Sequence, residues 1–132
     1  MSSFRVAAFA AKRRRLVVIW LTISLMVSIA ILTLIPINVP TNAPGSDKTH
    51  HLLAFAALTL PCAALYPKAL FRVALAAAVF GAAIEVIQPY VGRQGEVADL
   101  VADVLGIAMG ATLGLLLHCG CRTRTASRAI SS

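Results

Sequence analysis

The residues best suited to chemistry in this chain lie within positions 84–103, which hold four of its five acidic residues. The four are Glu85, Glu96, Asp99 and Asp103. The fifth, Asp47, stands next to Lys48 and four residues before His51. Carboxylates and a histidine can bind cations, hydrogen-bond a ligand or transfer protons near neutral pH. Their concentration in an otherwise apolar chain predicts a polar site.

The elements that must position these groups are apolar enough to cross a membrane. Hydrophobic residues make up 59% of the chain and charged residues 13%, with a mean hydropathy of +0.85. The windows 16–35, 49–67, 72–90 and 104–121 carry almost no charge. Each is close to the roughly 20 residues that cross a hydrocarbon core of about 30 Å. We therefore predict an all-α, polytopic bundle of four transmembrane helices, at about 16–35, 50–66, 72–90 and 99–118.

The basic residues predict how this bundle is oriented. Ten of the twelve flank predicted helix ends on one side, and only Lys48 and Arg93 fall on the other. The ten are Arg5, Lys12, Arg13, Arg14, Arg15, Lys68, Arg72, Arg122, Arg124 and Arg128. The positive-inside rule then places both termini in the cytoplasm. Orientation also accounts for the net charge of +7, so no nucleic-acid partner is expected.

This topology predicts a basic cytoplasmic segment at 1–15, a transmembrane domain at 16–118 and a basic cytoplasmic tail at 119–132. The first apolar run could in principle be a cleaved signal peptide. However, it is longer than the 7–15 residues of a signal core, and no A-x-A cleavage site follows it. We therefore expect it to be retained as a span.

Helical geometry brings the polar residues to the extracytoplasmic end of the predicted bundle. At about 1.5 Å per residue, His51, Glu85 and Asp103 lie at similar depths, roughly 5–7 Å below the interface. On the last helix, Asp103 continues a face of small residues, at helical steps of three and four. These are Gly106, Gly110 and Gly114. Small residues allow close helix packing in lipid, so we expect the carboxylates to point inward.

We predict that eight residues line one substrate-binding pocket at this end. They are Asp47, Lys48, His51, Glu85, Gln88, Arg93, Asp99 and Asp103. Glu96 and His50 are expected to lie in water. The plainer alternative is that the polar groups only hold helices together, although such hydrogen bonds average about 0.6 kcal/mol.

The sequence does not decide whether this pocket is catalytic. Its candidates are Glu85, His51, Asp99 and Asp103, with Glu85 and His51 as an acid–base pair. No cofactor is expected and no metal ligands are assigned, although Asp and His side chains together could hold a metal ion.

The combined pattern resembles the VanZ-like family over about residues 45–117. The resemblance rests on D-K-x-x-H at Asp47, Lys48 and His51 with Phe55 after it, E-x-x-Q at Glu85 and Gln88, R-x5-D at Arg93 and Asp99, and then Asp103 and Gly106. Two positions depart from the family. Many members carry Asn where Asp103 stands, and Glu96 replaces a common Ser or Thr.

The resemblance implies a cellular location and a general role, but no particular reaction. The family is named for an accessory membrane protein linked to teicoplanin resistance and includes many members of unassigned activity. It therefore implies a multi-pass protein of the bacterial inner (cytoplasmic) membrane with a role in the cell envelope. Glycopeptide resistance is one form that such a role could take.

Three hypotheses follow. The pocket could bind or modulate an envelope lipid, a lipid-linked precursor or a glycopeptide-type ligand, with Lys48, His51 and Arg93 meeting anionic or carbonyl groups. The protein could instead be an intramembrane hydrolase or transferase acting on a lipid-linked substrate. It could also be a scaffold that assembles as an oligomer or with partner membrane proteins, held in the lipid bilayer.

Overall fold

In the computed structural model, which describes residues 2–35 and 46–130, the chain is helical and the described residues contain no strand. The helices are α1 (Ser2–Leu34), α2 (Ser46–Leu65), α3 (Leu70–Ile87) and α4 (Val97–Ile130). Short 3-10 helices, Pro67–Ala69 and Gln88–Val91, precede and follow α3. The all-α prediction is confirmed, whereas most of the first predicted loop, residues 36–45, lies outside the described residues.

Within residues 2–35 and 46–130, three helices have the length and composition to cross a membrane. The segments are Ala8–Leu34 in α1, Pro67–Val91 around α3 and Val97–Cys121 in α4. Helix α2 has 20 residues and begins at Ser46, about four residues before the predicted start, so its first turns contain Asp47, Lys48, His50 and His51. The composition therefore indicates a membrane protein with three candidate spans. The crossing of α2 and the orientation of the termini stay predictions.

The first and last helices are longer than the apolar windows suggested. Helix α1 begins at Ser2 instead of near residue 16, and α4 continues to Ile130 instead of ending near 118. Hydropathy marks the part of a helix that suits lipid, while backbone hydrogen bonding continues through good helix formers such as Lys and Arg. The basic segments at both ends are thus continuations of helices.

The most extensive helix contact joins α2 to α4, and glycines on α4 make it close. A Cβ atom at Gly106 would overlap the Leu52 carbonyl, and one at Gly110 would overlap the Ala56 carbonyl and the Thr59 hydroxyl. Thr59 Oγ1 also lies 3.3 Å from the Ile107 carbonyl across this interface. The glycine face therefore packs against α2, as small-residue faces do in membranes.

The remaining helices complete a small core beneath the polar end. Phe55 is fully buried and stacks in a tilted arrangement on Phe80, with ring centroids 6.2 Å apart. Helix α1 contributes Ile29 to this core. Many large apolar side chains elsewhere stay exposed, such as Trp20 at 68% and Phe71 at 80%. An apolar exterior of this kind suits contact with lipid tails.

A substitution in the glycine face tests the packing of α2 on α4. Gly110→Ala should lower the free energy of unfolding by about 1–3 kcal/mol, since the added methyl meets backbone and hydroxyl atoms that cannot move away easily. Reversible unfolding in mixed micelles would measure it.

The matched control is Gly120→Ala in the same helix, where an added Cβ meets nothing within 4 Å. Alanine is the better helix former, so this variant should be neutral or up to about 1 kcal/mol more stable. Equal effects of the two variants would contradict the close α2–α4 interface.

Candidate functional site

The site is built around a buried histidine–carboxylate pair that joins α2 to α4. His51 Nδ1 lies 2.9 Å from Asp103 Oδ1, and the two side chains are 2% and 0% exposed. Because a carboxylate accepts hydrogen bonds, the Nδ1–H group donates in this contact. Glu85 Oε1 approaches the same nitrogen from α3, at 4.0 Å. The predicted common layer of these three side chains is confirmed.

Helix α3 makes room for this pair with a glycine. A Cβ on Gly81 would lie 2.5 Å from Asp103 Oδ2 and 3.2 Å from the Phe55 ring. Any larger residue at 81 would push the carboxylate or the ring aside. The sequence placed Gly81 one helical turn from Glu85, but only the structure shows that it accommodates Asp103.

A second, more exposed layer lies above the pair. Lys48 Nζ contacts Glu96 at 2.8 Å and Asp99 Oδ1 at 3.7 Å. The hydrogen bond to Glu96 raises the pKa of the Lys48 ammonium, and the same bond lowers the pKa of Glu96. Both side chains are therefore charged at neutral pH, and Lys48 partly covers the buried carboxylate of Asp99.

Arg93 ties the connection between α3 and α4 to the other two helices. Its Nη2 lies 3.4 Å from Asp47 Oδ2, and its Nη1 donates to the Thr33 carbonyl at the end of α1, at 3.2 Å. Gly92, with a φ of +78°, supplies the left-handed turn before it. The connection is also held by Glu85 Oε2, which accepts a hydrogen bond from the Glu96 amide at 2.8 Å.

The structure thus brings the predicted pocket residues together, with two differences from expectation. Gln88 is buried, but its link to the cluster is through its backbone carbonyl, which accepts from the Arg93 amide at 3.0 Å. Glu96 was expected to lie in water; it is exposed, yet it holds both Lys48 and Glu85. The sequence contained one indication of this role, because Glu96 lies directly before α4 and three residues from both Arg93 and Asp99. His50 is exposed, as predicted.

Five buried polar atoms in this cluster have no hydrogen-bond partner among the described residues. They are His51 Nε2, Glu85 Oε1, Gln88 Oε1, Asp99 Oδ1 and Asp103 Oδ2. Leaving a buried polar atom unpaired costs about 1–3 kcal/mol, and more for a charged group. Four of the five are carboxylate or amide oxygens, and Lys48 lies 3.7 Å from one of them, Asp99 Oδ1. The described part of the site is therefore short of hydrogen-bond donors.

The charges of the site point the same way. All five carboxylates of the chain meet here, against two permanent cations, Lys48 and Arg93. Both cations lie at the more exposed edge, while Asp99 and Asp103 are almost completely buried. The interior of the site is therefore electronegative and suited to a ligand that donates hydrogen bonds or carries positive charge.

Two overlapping sets of side chains could hold a divalent metal ion. Asp47, His51 and Asp99 form one, and His51, Glu85 and Asp103 form the other. In each set the ligand atoms lie within 4.8 Å of one another. Mixed imidazole and carboxylate ligands suit ions such as Zn²⁺ or Mn²⁺. A divalent metal ion is therefore one of the positively charged ligands that this site could bind.

Comparison with known protein families, with curated proteins and with solved structures finds no match to this chain. What the fold and composition support is an all-helical membrane protein with a buried histidine–carboxylate cluster at one end.

The histidine tautomer tests the geometry of the pair. In the native protein, nitrogen NMR should show the His51 Nδ1 protonated, because it donates to Asp103. Asp103→Leu should abolish this preference, since the acceptor is lost.

His118 is the internal reference for this measurement, because its Nδ1 lies 2.8 Å from the Ala64 carbonyl, far along α4. Its signal should not change in the variant. A His51 protonated only on Nε2 in the native protein would contradict the pairing.

Proposed function

We propose that this chain is a VanZ-like protein of the bacterial cytoplasmic membrane. In this proposal it has four spans, both termini in the cytoplasm, and an extracytoplasmic pocket that binds a cell-envelope component. The observation that carries the proposal is the convergence of five buried polar atoms that have no hydrogen-bond partner among the described residues. Charged groups inside membrane proteins are expensive and are typical of functional sites.

The packing of α2 supports its role as the fourth span. Close contacts at the glycines of α4 run from Leu52 and Gly106 to Ala63 and Gly114, beyond the His51–Asp103 pair. Farther along, His118 contacts the Ala64 carbonyl. Because α2 runs beside α4 over most of the candidate span Val97–Cys121, the packing favours the same depth for both helices. A membrane that contains α4 then also contains α2.

The ligand class follows from the unpaired atoms. The sequence suggested that Lys48 and Arg93 would meet anionic groups, but in the structure they contact Glu96 and Asp47. Recognition therefore depends mainly on acceptors, which require O–H, N–H or ammonium groups on the ligand. The sugar and peptide part of a lipid-linked envelope precursor, or of a glycopeptide-type molecule, is rich in such donors. Modulation of that component would follow from binding its head group at the membrane surface.

Ligand-induced stabilisation tests this proposal. A lipid-linked disaccharide-peptide, added to the purified full-length protein in detergent, should stabilise it by about 2.7 kcal/mol at a hundredfold excess over Kd. The same lipid ending in a bare phosphate should give much less, since it offers few donors. Gln88→Leu should remove most of the stabilisation because it deletes a buried acceptor.

The matched control is Gln94→Leu in the exposed connection, which should respond like the native protein. Equal stabilisation by both lipids, or an unchanged response in Gln88→Leu, would contradict the proposed pocket. If neither lipid stabilises the protein and partner subunits copurify with it, the scaffold hypothesis is favoured instead.

A second candidate function, hydrolysis or group transfer, is favoured by one specific observation. His51 is oriented by Asp103 through Nδ1, and its Nε2 is buried and unpaired. A carboxylate that fixes a histidine in this way leaves Nε2 as a base able to take a proton from water or a hydroxyl group. The sequence paired His51 with Glu85; the structure gives Asp103 the shorter contact and leaves Glu85 at 4.0 Å.

Product analysis of the same incubation separates the two functions. A pure binding protein returns the disaccharide-peptide lipid intact. An enzyme cleaves or transfers it, and Asp103→Asn should then slow turnover more than it weakens binding, because the histidine loses its orienting charge.

A further inference from the structure

Three basic side chains lie at the end of the bundle opposite the acidic cluster. Arg15, Lys68 and Arg72 are exposed there. Every acidic side chain of the sequence belongs to the other end, where α1 is fixed through the Thr33 carbonyl. Arg15 precedes Thr33 by 18 residues, which is about 27 Å of helix. All five acidic side chains of the sequence thus lie far from these cations, which leaves them able to bind an anionic ligand.

These cations line a cavity of about 450 Å³ between α1, the Pro67–Ala69 turn and α3. Its other polar lining groups are Tyr66 and Thr22, and the Thr22 hydroxyl is buried with no hydrogen-bond partner in the described part of the chain. The cavity thus collects guanidinium, ammonium and hydroxyl groups. This is the set of donors that a phosphate group, with its several acceptor oxygens, would satisfy.

An apolar groove continues from this cavity along α3. It has a volume of about 500 Å³ and shares Arg72 with the cavity. Its remaining lining is apolar, with Met26 from α1 and Leu75, Ala76, Val79, Phe80 and Ala83 from α3. From Arg72 to Ala83 the groove extends about 16 Å along the helix. A polar cavity joined to a long apolar groove matches a head group joined to an acyl chain.

We propose that the cleft between α1 and α3 is a binding site for an anionic phospholipid. The lipid phosphate lies among Arg15, Lys68 and Arg72, and one acyl chain follows the groove past Ala76 and Val79. The occupant is a lipid, because a free phosphate would leave the groove uncovered. The site is separate from the acidic pocket and does not depend on the function proposed for it.

Membrane orientation alone does not account for this arrangement. Lys12, Arg13 and Arg14 contribute equally to the positive-inside bias but do not line the cleft. Among the described side chains, Arg72 lines both the cavity and the groove, and Arg15 and Lys68 line the cavity with it. The difference between the two groups of basic residues provides a matched comparison with the same change in net charge.

Lipid titration of the full-length protein in zwitterionic nanodiscs tests the proposal. The probe is fluorescent phosphatidylglycerol, with phosphatidylcholine carrying the same label as its reference. The native protein should retain phosphatidylglycerol at least about tenfold more strongly, as expected for several basic groups near an anionic head group. Lys68→Gln with Arg72→Gln should abolish this preference, while Lys12→Gln with Arg13→Gln should keep it within about twofold.

A second pair of variants tests the groove without changing charge. Ala76→Phe fills the groove and should weaken phosphatidylglycerol retention, whereas Ala108→Phe, on an exposed position of α4, should not. If both double charge variants lose the same amount of phosphatidylglycerol preference, general surface electrostatics explains the binding and the proposal is wrong. Full displacement of the probe by inorganic phosphate, combined with no effect of Ala76→Phe, would also overturn it.

Discussion

The structure of the polar end depends on the hydrogen bond between His51 and Asp103, formed where neither side chain is in contact with water. Burial of an unpaired carboxylate or imidazole in an apolar bundle would be strongly unfavourable. The bond is possible only because α2 and α4 approach closely along the glycines of α4, and because Gly81 leaves space for the second carboxylate oxygen. Packing of small residues and pairing of polar residues thus depend on each other.

Electrostatic separation organises the rest of the molecule. One end gathers all the acids and leaves acceptors unpaired; the other gathers cations and hydroxyl groups around the α1–α3 cleft. The two ends therefore suit different ligands: the acidic end suits a ligand with hydrogen-bond donors, and the basic end suits a ligand with hydrogen-bond acceptors. Between them lies an apolar core around Phe55 and Ile84, with an exterior suited to lipid. A membrane would isolate the two sites from each other, so each can be tested without disturbing the other.

Much of this arrangement could be predicted from residue spacing, and the limits have physical causes. Helical periodicity placed His51, Glu85 and Asp103 at one depth, because rise per residue depends little on tertiary context. It could not distinguish Asp103 from Glu85 as the histidine's partner, since that choice depends on interhelical distances of 2.9 Å and 4.0 Å. Helical periodicity also did not predict the contacts of Glu96, because a carboxylate in a loop contacts other helices only when their ends lie close to that loop. The α1–α3 cleft was not predicted, since it arises from helices that pack loosely.

The coupling energy between His51 and Asp103 tests the central claim most directly. A double-mutant cycle with His51→Ala and Asp103→Ala, measured by reversible unfolding in mixed micelles, should give a coupling of about 1–3 kcal/mol. His118→Ala with Asp103→Ala is the reference cycle; those residues lie about 22 Å apart along α4 and should be additive within about 0.5 kcal/mol. If the His51–Asp103 cycle is additive to the same degree, the two side chains do not hold α2 and α4 together, and the proposed site loses its basis.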